Sequence, residues 1–297
     1  MPLTVQSYAD MSARIASNLH KINREDYDVV VGIPRSGIAP AAMIATFLQL
    51  PFAEPSNLAQ QIIIGRSNSP KKLPLNPRIL LVDDSVNKGG AMAKATEQVR
   101  QALFATSRTF KITRLAVYGP YQVEHPEKLV DISLTTDVRG PRAFAWNMFK
   151  HIRLPRWGFD MDGVLCRDPV NKENDDGPRY LEFIKNAEPL FLPTRPCGPI
   201  VTARLEKYRK PTEDWLQRHR VSYHSLHMMP YANKAERMKA GNRGGWKAET
   251  FMGIDTGYKK ELFIESSPKQ SKIIAREAGL QVWCTGDQTL YGAPTNE

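Results

Sequence analysis

The stretch Ile79-Leu80-Leu81-Val82-Asp83-Asp84-Ser85-Val86-Asn87-Lys88-Gly89-Gly90-Ala91 decides the fold of the first half of the chain, and Phe159-Asp160-Met161-Asp162-Gly163-Val164-Leu165 decides that of the second. In each, an apolar run feeds straight into paired carboxylates. A buried parallel strand delivers acids to the edge of an α/β sheet in this way. The chain therefore reads as two linked active sites, each on its own doubly wound α/β domain.

Working outward from Ile79, the strand Asp28 to Val31 ends in Gly32-Ile33-Pro34-Arg35-Ser36-Gly37, and helices are predicted from Ala39 to Leu50 and from Ala91 to Leu103. With the strand Ile112 to Val117 they complete a βαβαβ pattern. An amphipathic helix carrying Tyr8, Met11, Ile15 and Leu19 precedes it. The polar stretch Ala53 to Pro77, with a short apolar run at Ile62 to Ile64, reads equally as a lid or a surface hairpin. A segment from Asp137 to Arg156 surrounds the aromatic residues Phe144, Trp146 and Phe149, and the boundary is expected near Arg153, giving domains 1–153 and 154–297. The second half repeats the alternation, with strands at Trp157 to Phe159, Pro199 to Val201 and Glu261 to Ile264. Helices are expected near Arg179 to Asn186, through Trp215 to His219 and from Pro268 to Ala278.

At 297 residues, with 41% apolar and 24% charged side chains and no repeat or low-complexity segment, the chain has the composition of a globular protein of two domains. The formal charge of +10 suits nucleic acid or an acidic membrane, but it equally gathers small phosphorylated substrates. Lys and Arg are spread along the chain, which favours the small substrates and makes nucleic acid a poor expectation. Cys166, Cys197 and Cys284 lack the number and spacing of a disulfide framework or a four-ligand zinc site. With no signal segment and no apolar run of spanning length, a reduced, cytoplasmic protein without membrane contact is expected. Self-association stays open.

A glycine-bearing turn between strand and helix exposes backbone N–H groups at the positive end of the helix, which is an anion cradle. The turn from Ser85 to Ala91 has this form, and Asp83 and Asp84 before it suit ribose hydroxyls or a magnesium ion. The stretch Ile79 to Ala91 resembles the phosphoribosyl-pyrophosphate signature of the type I phosphoribosyltransferases. Gly32 to Gly37 resembles that family's pyrophosphate loop, and Ala53 to Pro77 lies where the family has its lid. The resemblance implies that Asp83 and Asp84 hold ribose, that Lys88, Gly89, Gly90 and Ala91 hold the 5-phosphate, and that Arg35, Ser36 and Gly37 hold pyrophosphate. Trp146, in the place of the family's hood, is expected to stack on the base, the alternative being a core or domain-interface aromatic. Asn87 stands where members acting on 6-oxopurines carry an acid, and an amide cannot take a proton at neutral pH. Lys88 replaces a usual hydroxyl residue.

Two carboxylates one residue apart after a strand can divide labour between attack and proton transfer, and Asp160 and Asp162 have that spacing. Together with Val201-Thr202-Ala203-Arg204, Lys247 and Leu262 to Ser267, they resemble the haloacid dehalogenase superfamily in its phosphatase and nucleotidase branch. The resemblance implies an aspartyl-phosphate nucleophile in Asp160, a general acid and base in Asp162, and a phosphoryl contact from Thr202. It also implies a charge-balancing Lys247 and a Mg²⁺ held by Asp160, Asp162 and Glu265. Ser266 replaces a usual second acid, and Lys259 and Lys260 compete with Lys247 for its role. Arg204 either reaches a substrate phosphate or pairs with Glu206 or another acid. Asp175 and Asp176 read as solvated loop acids, and His224 and His227 as ordinary histidines.

The motifs together imply a bifunctional enzyme that joins a nucleobase-like heterocycle to phosphoribosyl pyrophosphate with Mg²⁺ and then removes the 5′-phosphate of the nucleoside monophosphate. Two rivals stand beside it. One is a phosphoribosyl-pyrophosphate sensor that binds nucleic acid; the other is a phosphatase whose first domain binds nucleotide without catalysis.

Overall fold

The computed structural model describes residues 3–58, 60, 62–65, 72–104, 109–138 and 140–292. Two compact units divide the chain: Gln6–Arg142 forms the first, and the opening strand through Val5 joins everything from Ala143 onward in the second.

Strand β1 (Thr4–Gln6) leads into helix α1 (Tyr8–Asn18), which starts where Ser7 Oγ accepts from the Asp10 N–H at 3.0 Å while Asp10 accepts from the Ser7 N–H at 2.8 Å. Such a reciprocal cap satisfies two N–H groups that the first turn leaves without carbonyls. Then follow β2 (Val29–Gly32), α2 (Ile38–Leu48), β3 (Phe52–Ala53), α3 (Pro55–Leu58), β4 (Arg78–Ser85), α4 (Gly90–Phe104), β5 (Lys111–Tyr118) and β6 (Ile132–Thr135). The sheet runs β3-β2-β4-β5-β6 with every pairing parallel. Val29 to Val31 and Ile79 to Val82 are wholly buried because α-helical crossovers cover both faces of a parallel sheet, which is why these strands read as unbroken apolar runs. In the polar stretch after β3, Phe52 and Ile64 exchange backbone hydrogen bonds of 2.8 Å as an antiparallel bridge. That supports the hairpin for this part, while residues 59, 61 and 66–71 lie outside the described residues.

The second unit takes up the chain within β7 (Arg142–Phe144), which pairs with β1 in a two-stranded sheet. The division falls ahead of the expected Arg153 because Ala143, Met148 and Leu154 are buried in the second unit's core together with Leu3 and Val5. Its elements are β8 (Trp157–Phe159), α5 (Pro178–Asn186), β9 (Ile200–Leu205), α6 (Arg209–Arg218), β10 (Leu226–Met229), α7 (Lys234–Ala240) and α8 (Arg243–Gly253). They continue with β11 (Leu262–Glu265), α9 (Pro268–Ala278), β12 (Gln281–Cys284) and β13 (Thr289–Tyr291). The sheet runs β10-β9-β8-β11-β12-β13, parallel except for β13. Strand β9 runs further than the expected Pro199 to Val201, so Thr202, Ala203 and Arg204 are strand residues. The cores of both units are thus mixed α/β with parallel sheets. Among the described residues no helix is long and apolar enough to cross a membrane.

Candidate active sites

In each sheet the strand order reverses once, between β2 and β4 in the first and between β8 and β11 in the second. Open α/β sheets bind ligands in the crevice that such a reversal leaves beyond the carboxyl ends of the strands. The turn Ile33 to Gly37 with Asp83 and Asp84 lies at the first reversal, and Asp160 and Glu265 lie at the second.

In the first unit, Gly32 closes β2 opposite Val82 of β4, so the turn Ile33 to Gly37 and the acids Asp83 and Asp84 lie side by side. Gly37 has to be glycine for lack of space: a Cβ there would lie 2.7 Å from the Ile33 carbonyl, 2.8 Å from that of Val82 and 3.0 Å from Asp83 Cα. Asp83 and Asp84 are buried, the Asp84 N–H donates to Asp83 Oδ1 at 3.0 Å, and the Ser85 N–H donates to Asp84 Oδ1 at 2.8 Å. Burial, then the charge of Asp84, pushes Asp83 up to about 8. A carboxyl held near neutrality beside a second carboxylate suits bonding to ligand hydroxyls. Beyond them Lys88 is exposed and Gly89 half-buried, and Gly90 and Ala91, both exposed, open α4. Arg35 is exposed and Ser36 half-buried.

Arg142 was not anticipated. Its guanidinium donates to the carbonyls of Gly119 at 2.9 Å and Val86 at 3.3 Å, which ties it to the start of the glycine turn. Trp146 belongs to the second unit, stacked on Phe144 with ring centres 4.9 Å apart, so the first unit by itself does not carry it as a base platform.

In the second unit, Asp160 follows β8, Glu265 ends β11 and Thr202 lies in β9. Lys247 reaches in from α8. Lys247 Nζ lies 2.6 Å from Asp160 Oδ2 and 2.6 Å from Glu265 Oε2, and all three are buried. Lys260 instead donates to the carbonyls of Met252 and Ile254. Burial and the Glu265 carboxylate push Asp160 up to about 8 against the pull of Lys247. Burial draws the Lys247 ammonium down, but the two carboxylates outweigh it and its pKa is raised. Gly163, at a φ of +76°, turns the chain under Ser266 and Asp168, where a Cβ would lie 2.4 Å from the serine side chain and 2.5 Å from the aspartate.

Asp160, Asp162, Thr202 and Lys247 line one cavity of about 270 Å³, with Asp168, Tyr180, Arg237, Arg243, Ser266 and Gln270 among its other walls. Arg204 does not open onto it. Its guanidinium, wholly buried, lies 2.6 Å from Asp162 Oδ1 and also reaches Thr212 Oγ1 at 3.2 Å and Cys166 Sγ at 3.3 Å. Of the two roles considered for Arg204, the acid pair is the one formed, with Asp162 and not Glu206. Asp175 and Asp176 are likewise structural. Asp175 Oδ1 accepts from the N–H groups of Gly177 and Tyr180 at the start of α5, and Asp176 accepts from Tyr208 Oη at 3.1 Å and the Lys234 N–H at 2.7 Å. His224 and His227 each lie 3.0 Å from Ser225 Oγ.

For a divalent cation the donor set fits in part. Burial, then Asp162 and Glu265, raise Asp168, and the same crowding raises Asp160, which is the repulsion that a cation relieves. Among the described residues no three acids, histidines or cysteines stand close enough to enclose an ion. That is compatible with Mg²⁺, which keeps several waters and takes substrate phosphate oxygens. Glu265 fits less well than the sequence implied: Lys247 occupies Oε2, and the N–H groups of Ser266 and Ser267 donate to Oε1 at 3.0 and 3.1 Å. Asp168, missed in the sequence for want of a motif around it, is on the cavity wall instead.

No protein-family model matches the chain. Over 102 residues, 34% of this chain and 44% of the relative, it is 29% identical to the orotate phosphoribosyltransferase of Cutibacterium acnes, so it spans less than half the length of that relative. Among solved structures, a purine phosphoribosyltransferase from Pyrococcus horikoshii matches with a TM-score of 0.34 and 16% identity over 49% of this chain and 94% of that one. The orotate phosphoribosyltransferase from Aeropyrum pernix matches with a TM-score of 0.29 and 21% identity over 43% of this chain and 69% of that one. The sequence match supports a phosphoribosyltransferase-type domain.

Proposed function

We propose that this protein is a bifunctional enzyme of nucleotide metabolism. Its first unit transfers phosphoribose from phosphoribosyl pyrophosphate to a nucleobase-like heterocycle, and its second unit, a phosphatase of the haloacid dehalogenase type, hydrolyses the resulting nucleoside monophosphate to the nucleoside. The transferase rests on the sequence match together with the acids and glycine turn at the first sheet's reversal. The observation that carries the phosphatase is the buried Asp160–Lys247–Glu265 cluster at the reversal of the second sheet, with Asp162 and Thr202 on the same cavity.

In the first unit, Asp83 and Asp84 orient the ribose hydroxyls and the turn to Ala91 takes the 5-phosphate on backbone N–H groups; a ring nitrogen of the heterocycle bonds to C1 as the C1–O bond breaks, and Arg35, Ser36 and Gly37 receive the departing pyrophosphate. In the second, an Asp160 oxygen attacks phosphorus and the ester P–O bond breaks, while Asp162 gives a proton to the leaving alkoxide. Water activated by Asp162 then cleaves the aspartyl phosphate. Arg204 fixes the orientation of Asp162, Thr202 donates to the phosphoryl group and Lys247 holds the nucleophile in place. Asp160 and Asp168 would hold Mg²⁺, which would supply charge neutralisation at the phosphate. Joining the activities has a chemical rationale, since phosphoribosyl transfer is reversible and hydrolysis of its product draws it forward.

The test is mass-spectrometric. The Asp160→Asn protein is incubated with phosphoribosyl pyrophosphate, Mg²⁺ and a panel of pyrimidine, purine and pyridine bases. A new nucleoside monophosphate, converted to nucleoside by the unaltered protein, is the expected result. Hydrolysis of added nucleoside monophosphates by the unaltered protein with no transfer to any base would leave only the phosphatase.

A further inference from the structure

We propose that Arg237 is a substrate-binding residue of the second unit's cavity, donating to an anionic oxygen of the phosphoryl group; this rests on the phosphatase reading above. Arg237 lies on α7, far in sequence from either acidic motif, and only 7% of it is exposed. One guanidinium nitrogen donates to the Ala203 carbonyl at 2.7 Å. Its Nε is buried with no acceptor, and among the described residues no carboxylate lies within ion-pairing distance of it.

A buried cation without an anion is costly, and native proteins rarely keep one. The other buried cations here are matched: Lys247 by Asp160 and Glu265, Arg204 by Asp162. Among the described residues Arg237 is the exception, and it lines the cavity that holds the proposed nucleophile.

A second donor converges with it. Thr202 Oγ1 accepts from the Arg204 N–H at 3.3 Å, which leaves its own O–H to donate into the cavity. The carbonyl that anchors Arg237 is that of the next residue, Ala203, so Arg237, on α7, is tied to the stretch of β9 that carries Thr202. Two converging donors, one of them cationic, form a site for a tetrahedral oxyanion. Helix α7 is itself pinned: the Lys234 N–H donates to Asp176 Oδ2 at 2.7 Å, and Lys234 Nζ donates to the Asn174 carbonyl at 2.6 Å. Arg237 is thereby held ready before substrate arrives.

The experiment measures inorganic phosphate binding to the full-length protein by calorimetry and inhibition of p-nitrophenyl phosphate hydrolysis by phosphate. It compares the unaltered chain with Arg237→Gln and Arg237→Lys, each checked for an unchanged melting temperature. Loss of one charge-assisted donor pair should weaken phosphate binding about 10- to 100-fold in Arg237→Gln. Arg237→Lys should fall between, since it keeps the charge and loses the fork; if Arg237→Gln does not fold, Arg237→Lys decides alone. Unchanged phosphate affinity in a folded variant overturns the role of Arg237 while leaving the phosphatase standing. If no phosphate ester is hydrolysed but phosphate binding still falls with Arg237, the phosphatase reading fails and the anion site stands. Absence of phosphate binding to the unaltered chain overturns the site.

Discussion

Asp83 carries a carboxyl whose pKa burial and Asp84 raise to about 8, far above that of an aspartate in the unfolded chain. A raised acid favours the fold while it is protonated. Stability is therefore lost as pH rises from the unfolded value toward about 8. Asp83→Asn removes the ionisation with little change of shape, so the ligand-free variant should melt higher than the parent, by a margin larger at pH 9 than at pH 6, and should no longer bind phosphoribosyl pyrophosphate. Thermal melts at the two pH values, with a binding titration, check both halves; an unchanged melting difference would mean that Asp83 is not penalised by burial. Arg204 gives a second prediction. Arg204→Met strands the partly buried Asp162 and should cost about 3–5 kcal/mol of stability. Glu206→Ala should cost little, because Glu206 is exposed and, among the described residues, its ion pair is the one with half-buried Arg209. Denaturant titration of the pair separates them.

At the scale of elements, the turn after β2 is held against β4 by Gly37, and its three nearest contacts are backbone atoms that cannot swing aside. Gly37→Ala should destabilise the first unit by about 1–3 kcal/mol through overpacking. It should also weaken phosphoribosyl pyrophosphate binding while leaving hydrolysis at the second site untouched; equal loss at both sites would mean that the damage is not local. The elements that carry acids were legible, since the unbroken apolar run Ile79 to Val82 and the aromatic pair Trp157 and Phe159 each lead straight into paired carboxylates. Strands β10, β12 and β13 and helix α7 were not. They are short, and Leu226 to Met229 carries His227 between buried neighbours, so sheet pairing and not local pattern makes it a strand.

For the whole molecule, the opening strand belongs to the unit that closes the chain. Leu3 and Val5 are buried in the second core, at 5% and 4% exposure. Each buried aliphatic side chain contributes about 1.5–3 kcal/mol. Deleting the chain through Val5 should therefore lower the unfolding transition of the second unit and leave that of the first unchanged, as read by calorimetry with each site's activity followed through the melt. Since each unit has its own core and its own reversal point, Asp83→Asn should abolish transfer and spare hydrolysis, and Asp160→Asn should do the reverse, in product assays on the full chain.

The sequence by itself determined the two α/β sheets and the positions of Asp83, Asp84, Asp160 and Asp162 at their edges, because an apolar run ended by acids and glycine is a local pattern with few other folded solutions. Only the tertiary structure decided which side chains meet those acids. That Lys247 and not Lys260 reaches Asp160, that Arg204 is spent on Asp162, that Glu265 is enclosed while Asp168 faces the cavity, and that Arg237 stands there without an anion are matters of packing between strands and helices distant in sequence. Hydrogen-bond partners over such separations are chosen by register, burial and the direction of each side chain, none of which a linear pattern encodes.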